Sequence, residues 1–179
     1  MIQRLPGDTP AATEIARMIR VDHAGEYGAA RIYAGQLAVL GRRQTAPVLR
    51  EMQQQEREHL DRFAELIVQR RVRPTALLPI WHLAGFALGA ATAALGERAA
   101  MACTVAIEEV IDAHYASQID GLDESEATLR DTLTSFRQDE LHHRDIGLQQ
   151  GAEQAPGYRL MSSAIKAGCR LAIRISERI

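Results

Sequence analysis

Two pairs of side chains in this sequence have the types and spacing to grip a metal ion. Glu56 and His59 lie three residues apart in Glu56-Arg57-Glu58-His59. Glu140 and His143 do the same in Glu140-Leu141-His142-His143. On a helix, positions three apart share a face, so a carboxylate and an imidazole at that spacing reach one ion together. One such pair carries little weight, because Glu and His fall three apart by chance in many surface helices. Two pairs gain weight if further acids stand at matching depth. Glu26 precedes Glu56 by thirty residues, and Glu108 precedes Glu140 by thirty-two.

The elements that must carry these residues are helices. Ala, Leu, Ile, Glu, Gln and Arg dominate the 179 residues, aromatics make up 4%, and β-branched runs of strand length are absent. The fold class expected is all-α. A lead-in over residues 1–10 is broken by Pro6, Gly7 and Pro10, and a first helix starts near Thr9 to Thr13. Its apolar stripe runs Ile15, Met18, Ile19, Asp22, Glu26, Ala29, Tyr33, Leu37 and Leu40, with Gly41 as its C-cap. A second helix, about 46–71, admits Pro47 in its first turn and carries Glu56 and His59 between Met52 and Phe63. A third, about 97–119, has Met101, Val105, Glu108, Asp112, Tyr115 and Ile119 on one face, with Glu109 on another. A fourth, about 124–150, aligns Leu129, Leu133, Phe136, Glu140, His143 and Gly147. His142 is turned about 100° from His143 and is expected to be a neighbour, not a ligand.

Each acid of the set therefore sits on an apolar stripe, where an unpaired carboxylate is costly. Two helical hairpins, each bringing one lone Glu and one Glu-x-x-His, predict an antiparallel four-helix bundle with a pseudo-two-fold axis. Four carboxylates at such range repel one another, and burial would force protons onto them unless cations take the charge. Two divalent metals do so. The set Glu26, Glu56, His59, Glu108, Glu140 and His143 is that of the ferritin-like di-iron and di-manganese carboxylate proteins. Mixed carboxylate and imidazole donors suit iron or manganese better than a thiolate-seeking metal.

The remaining segments bear on location. From Thr75 to Gly96 there is no Asp, Glu, Lys or Arg. The helical part, about 80–95, covers roughly 24 Å at 1.5 Å per residue, short of the ~30 Å hydrocarbon core of a bilayer. A full span is the least favoured reading. A helix that dips into a membrane or buries in a dimer, and an ordinary core helix with small-residue packing, both remain open. After Pro156-Gly157 a basic amphipathic helix runs over 157–179, either lying on a membrane surface or closing the bundle. One domain over 1–179 is expected, with 72–96 as an apolar crossover. A net charge of −2 asks for no nucleic-acid partner. Cys103 and Cys169, without a Cys-x-x-Cys, read as buried free thiols. The N-terminus has no apolar signal core and no Arg- and Ser-rich presequence, which fits a cytoplasmic protein or a mature form.

Beyond spacing, the wording of the sequence resembles the demethoxyubiquinone hydroxylase family over nearly its whole length. The resemblance rests on Asp22-His23-Ala24-Gly25-Glu26-Tyr27-Gly28-Ala29, Glu56-Arg57-Glu58-His59, Trp81 with Ala84-Gly85-Phe86-Ala87-Leu88-Gly89, and Met101 through Glu109. It continues in His114-Tyr115, Glu140 through Leu148 and the ending Ala167-Gly168-Cys169 to Arg178. It implies two iron ions on the same six residues, O2 as co-substrate, an external reductant, and ring hydroxylation of a prenylated quinone. It also implies His114 and Tyr115 near the quinone, in ring positioning or proton relay. Tyr115 as a core residue bonding across the bundle is an equal alternative. Family members are peripheral membrane proteins, which assigns 74–96 and the last helix to membrane contact. The location implied is the cytoplasmic face of a bacterial inner membrane, or the matrix side of the mitochondrial one for a trimmed form. A second copy of the chain or a lipid-binding partner protein are the further partners this surface admits. Asp112, one turn beyond Glu108 on its stripe, reads as an acid behind the ligands or one facing a water-filled mouth, and it departs from the family pattern, which implies a small or uncharged residue there. No Gly-x-Gly-x-x-Gly fingerprint is present for a nucleotide cofactor. Iron storage and peroxide scavenging are the rival functions; the apolar 74–96 stretch opposes the first and the missing rubredoxin-type cysteines the second.

Overall fold

The second helix shows how the apolar stripes build the molecule. In the computed structural model, which describes residues 11–179, α2 (Ala46–Gln69) buries Leu49, Met52, Glu56, His59, Phe63, Leu66 and Ile67. Their spacing of three and four residues makes one face. Pro47 stands in the first turn, where a missing N–H costs nothing. That face packs on α1 (Ala11–Leu40), the first arm of the hairpin. The lead-in expected over 1–10 lies outside the described residues. Gly41 follows α1 directly, but without left-handed backbone; among the described glycines only Gly96, Gly151 and Gly157 have positive φ.

The second hairpin is α4 (Glu97–Gly121) and α5 (Ala127–Gln149). From Ala99 to Glu108 every residue of α4 is buried, so this half of the helix is enclosed on all sides. The expected start of the fourth helix is split: a short 3-10 turn, Glu124–Glu126, precedes α5. Asp123 opens it by accepting a hydrogen bond from the Ser125 backbone N–H at 3.0 Å.

Two apolar clusters fix the directions of the helices. One joins Leu40, Leu49, Met52 and Ala99 to Val105; the other joins Ile19, Phe63, Leu66, Tyr115, Leu129 and Leu133. The end of α1 therefore meets the start of α4, and each hairpin is antiparallel. The result is an all-α, ferritin-like bundle, with no strand among the described residues.

The crossover α3 (Leu78–Ala94) runs parallel to α1 and touches it through backbone. A Cβ on Gly85 would lie 2.8 Å from the Gly28 carbonyl oxygen, and one on Gly89 would collide with the Ile32 carbonyl. Small residues let the two helices approach this closely. Gly96, with φ 115°, turns the chain from α3 into α4. On its other side α3 exposes Ile80 and Leu83, so it is neither a wholly buried core helix nor long and apolar enough to cross a membrane. The last helix, α6 (Tyr158–Ser176), returns along α4, and its end is tied to α3 by one side-chain bond, in which Trp81 Nε1 donates to Ser176 Oγ at 3.1 Å.

Candidate metal centre

All six candidate ligands meet at mid-bundle, between the two apolar clusters, and each is at most 3% exposed. Two overlapping groups form: Glu26, Glu56, His59 and Glu140 in one, and Glu56, Glu108, Glu140 and His143 in the other. Within each, the candidate donor atoms lie within 4.8 Å of one another. Glu56 and Glu140 belong to both groups, so their carboxylates stand between two ion positions. Glu140 shows this directly, with Oε1 3.2 Å from His59 Nδ1 and Oε2 3.5 Å from His143 Nδ1. Glu26 and Glu108 are the terminal acids, one at each position.

The atoms that point inward have no other use. Glu26 Oε2, Glu56 Oε1, both oxygens of Glu140, and Nδ1 of His59 and His143 are buried without a hydrogen-bond partner. Native interiors leave few such atoms, and each one needs a reason. Two divalent cations at these positions supply it, and the donors, carboxylate oxygen and imidazole nitrogen, are those such cations take.

Four of the six residues are held from outside as well, in matched pairs. Tyr115 Oη on α4 donates to Glu26 on α1, while Tyr33 Oη on α1 donates to Glu108 Oε1 on α4 at 2.9 Å. His59 Nε2 meets Asp139 Oδ2 at 3.1 Å, and His143 Nε2 meets Gln55 Oε1 at 2.7 Å. Holding the outer nitrogen fixes the tautomer that leaves Nδ1 free to ligate. Phe136 stacks on His59 with centroids 3.9 Å apart, and Tyr33 meets the His143 ring edge-on.

Without cations the acids are under strain of charge. Burial, together with the neighbouring carboxylates, pushes Glu26 up and Glu56 and Glu108 well above the usual carboxylate range. Glu140 is the exception: burial opposes its charge, but the facing His143 and His59 hold it at about 2. Burial also opposes the charge on His59, yet Glu140 and Glu26 raise it to about 12. His143 moves upward likewise.

Other predicted residues fall elsewhere. His142 is exposed, as its position on the helix requires. Asp112 pairs with Arg137 Nε at 2.6 Å, joining α4 to α5 away from the donor atoms. Glu109 pairs with Lys166 and ties α4 to α6. His114 turns from the centre toward a buried Asp22, which Gln118 Nε2 also contacts at 2.8 Å. Helical spacing alone does not mark Tyr33, Gln55 or Asp139 as a site residue. Their signal is the repeat itself: each tyrosine stands seven residues after a lone Glu, and Gln55 and Asp139 each precede the Glu of a pair.

Beside the centre, α1, α3, α4 and α6 enclose an apolar cavity of about 480 Å³. Its walls include Gly25 and Ile107, each the neighbour of a terminal acid, with Gly28, Trp81, Ile111 and Cys169. No charged residue lines it, and neither His114 nor Tyr115 does. Burial holds the thiols of Cys103 and Cys169 up at about 12, and they are not joined.

A bundle with Glu-x-x-His on two helices and a lone Glu on each of two others defines a ferritin-like di-metal carboxylate protein. Sequence comparison narrows this class. The chain belongs to the family described as ubiquinone biosynthesis protein COQ7, whose pattern matches residues 13–176. A 3-demethoxyubiquinol 3-hydroxylase of Rhodospirillum rubrum is 59% identical, over 98% of this chain and 84% of that one. The human NADPH-dependent 3-demethoxyubiquinone 3-hydroxylase, mitochondrial, is 54% identical over 96% of this chain and 81% of its own. The 5-demethoxyubiquinone hydroxylase, mitochondrial, of Saccharomyces cerevisiae is 41% identical over 94% and 79%.

Protons and cations compete for these atoms. Because His59 keeps its proton up to about 12 and three acids are raised, a cation must displace protons on loading. Affinity for Mn2+ should therefore rise with pH through the neutral range. Calorimetry in buffers of different ionisation enthalpy should detect net proton release; a pH-independent affinity with no release would contradict the assignment.

Proposed function

We propose that this protein is a 3-demethoxyubiquinol 3-hydroxylase of ubiquinone biosynthesis, with two iron ions at the six-residue centre. The observation that carries the reading is a carboxylate and imidazole centre built beside an apolar cavity of about 480 Å³, a size suited to an organic substrate. When bound, the irons supply the binding and reduction of O2. One oxygen atom goes to the unsubstituted ring carbon and the other leaves as water, with two electrons and two protons from an external reductant. The name of the human relative supports reduced nicotinamide as the source of those electrons.

The chain's own residues bind, orient and dry the site. The cavity receives the ring and the first part of its prenyl tail, and its uncharged walls keep bulk water from the reaction. Tyr115 and Tyr33 hold the terminal acids by one oxygen each, fixing the direction of the other. Of ring positioning and proton relay, relay is the role that the placement of Tyr115 and His114 outside the cavity lining supports. His114 is partly exposed and meets Asp22, one helical turn before Glu26, while Tyr115 Oη holds its proton on Glu26.

Membrane association follows from α3 and α6. Trp81, Ala84, Gly85 and Leu88 of α3 face the cavity, while Leu83 on the opposite face is 71% exposed. On α6, Leu160 is 79% exposed among Arg159, Arg170 and Arg174. An apolar face ringed by arginines suits attachment to an anionic bilayer surface without crossing it. The prenylated substrate then enters from the lipid. The cytoplasmic face of a bacterial inner membrane is the location this favours.

Two experiments test the proposal. Glu140→Ala removes a carboxylate shared by both positions; it should abolish hydroxylation and leave fewer than two irons per chain, and a variant with two irons and full turnover would refute the site. Leu83→Ser with Phe86→Ser should weaken sedimentation with phosphatidylglycerol-containing liposomes, while unchanged sedimentation would remove α3 from the membrane contact.

A further inference from the structure

The two halves of the bundle repeat one another well beyond the ligands. A shift of 82 positions carries Glu26, Tyr33 and Gln36 of α1 onto Glu108, Tyr115 and Gln118 of α4. A shift of 84 carries Gln55, Glu56 and His59 of α2 onto Asp139, Glu140 and His143 of α5. The contacts repeat as well. Each tyrosine bonds the opposite lone acid, and each glutamine reaches the opposite helix, Gln36 to the Ala100 carbonyl at 3.0 Å and Gln118 to Asp22. Each residue preceding a Glu-x-x-His accepts a hydrogen bond from the histidine of the other pair.

Against this background the departures stand out. Thr104 is replaced by Asp22 in the other half, but Asp22 is met by His114 at 3.3 Å and does not touch a ligand in any hydrogen bond or ion pair described above. Phe136 stacks on His59 where the other half has Met52, one uncharged side chain against another. The departure within a ligand's hydrogen bond is Gln55 against Asp139. Both accept the hydrogen on Nε2 of a buried imidazole, so both orient Nδ1 in the same way. They differ in charge. A carboxylate acceptor makes its histidine a stronger donor through Nδ1, and an amide does so less. Asp139 is 40% exposed, so its through-space field is screened, and its influence runs through the hydrogen bond to His59. Of the cations along these helices, Arg137 is engaged with Asp112, Arg144 with Asp145 and Arg62 with Glu65, while Arg57, between Gln55 and His59, is exposed to solvent.

The geometry points to two unequal metal positions filled in order: Asp139 makes the Glu26 and His59 position bind a divalent cation first and more tightly, and Gln55 leaves the Glu108 and His143 position the weaker. Asp139 and Gln55 are positioning residues, acting through the histidines. The inference rests on the reading of the cluster as a two-metal centre.

Titration of metal-free protein with Mn2+, followed by electron paramagnetic resonance, tests it. Wild type should give the spectrum of an isolated ion at the first equivalent and that of a coupled pair only as the second is added. Asp139→Asn should weaken the first step by roughly 10- to 100-fold and bring the steps together. Gln55→Glu should strengthen the second step, a gain that a damaged fold cannot produce. His143→Ala should keep the first step, and His59→Ala should lose it. Coupled pairs from the start in wild type, steps unmoved by Asp139→Asn, or both steps weakened equally would overturn the ordering while leaving a two-metal centre. Failure of wild type to bind two Mn2+ would overturn the centre and the ordering together.

Discussion

Four carboxylic acids and two imidazoles share the middle of this bundle with almost no access to water. Charge of that kind is expensive to bury, and an isolated ion in a protein interior costs several kcal/mol even after relaxation. The metal-free state spreads this cost by pushing Glu26, Glu56 and Glu108 toward their protonated forms and by charging His59. Divalent cations remove it at the source. The apolar clusters on either side hold the four helices at a fixed spacing, and outer hydrogen bonds turn Glu26, Glu108, His59 and His143 so that a free atom of each faces inward.

The same helices that place the ligands also shape the access to them. Lone acids on α1 and α4 leave their neighbouring positions to small and aliphatic residues, and Gly25, Gly28 and Ile107 become cavity wall. The close approach of α3 to α1, which the glycines at 85 and 89 permit, seals one side. The chain thus sets an apolar chamber against a polar centre, the juxtaposition a hydroxylase of a water-insoluble ring requires. Outside the chamber, α3 and α6 leave Leu83 and Leu160 exposed.

Much of this was legible in the sequence because helical spacing is a strong constraint. Glu26, Glu56, His59, Glu108, Glu140 and His143 fall on apolar stripes, and a buried acid on a stripe demands a partner. The order of helices followed from the same periodicity, and only ends shifted, such as the 3-10 turn before α5. What periodicity lacks is the identity of contacts across helices. Asp112 lies on the stripe of Glu108 yet pairs with Arg137 of α5, a partner that spacing along α4 does not reveal. Tyr33, Gln55 and Asp139 are ordinary residues for a helix until their partners on another helix are known. Which acids stand between the two positions was likewise hidden, since sharing depends on how the bundle closes.

Two cations among these six side chains are the central requirement of this bundle. Anomalous scattering at the iron edge, from crystals of protein loaded anaerobically with ferrous ion, measures them directly. A two-cation centre gives two peaks, one against Nδ1 of His59 and one against Nδ1 of His143, with Glu56 and Glu140 reaching both. A single peak, no peak, or iron bound outside these residues would contradict it.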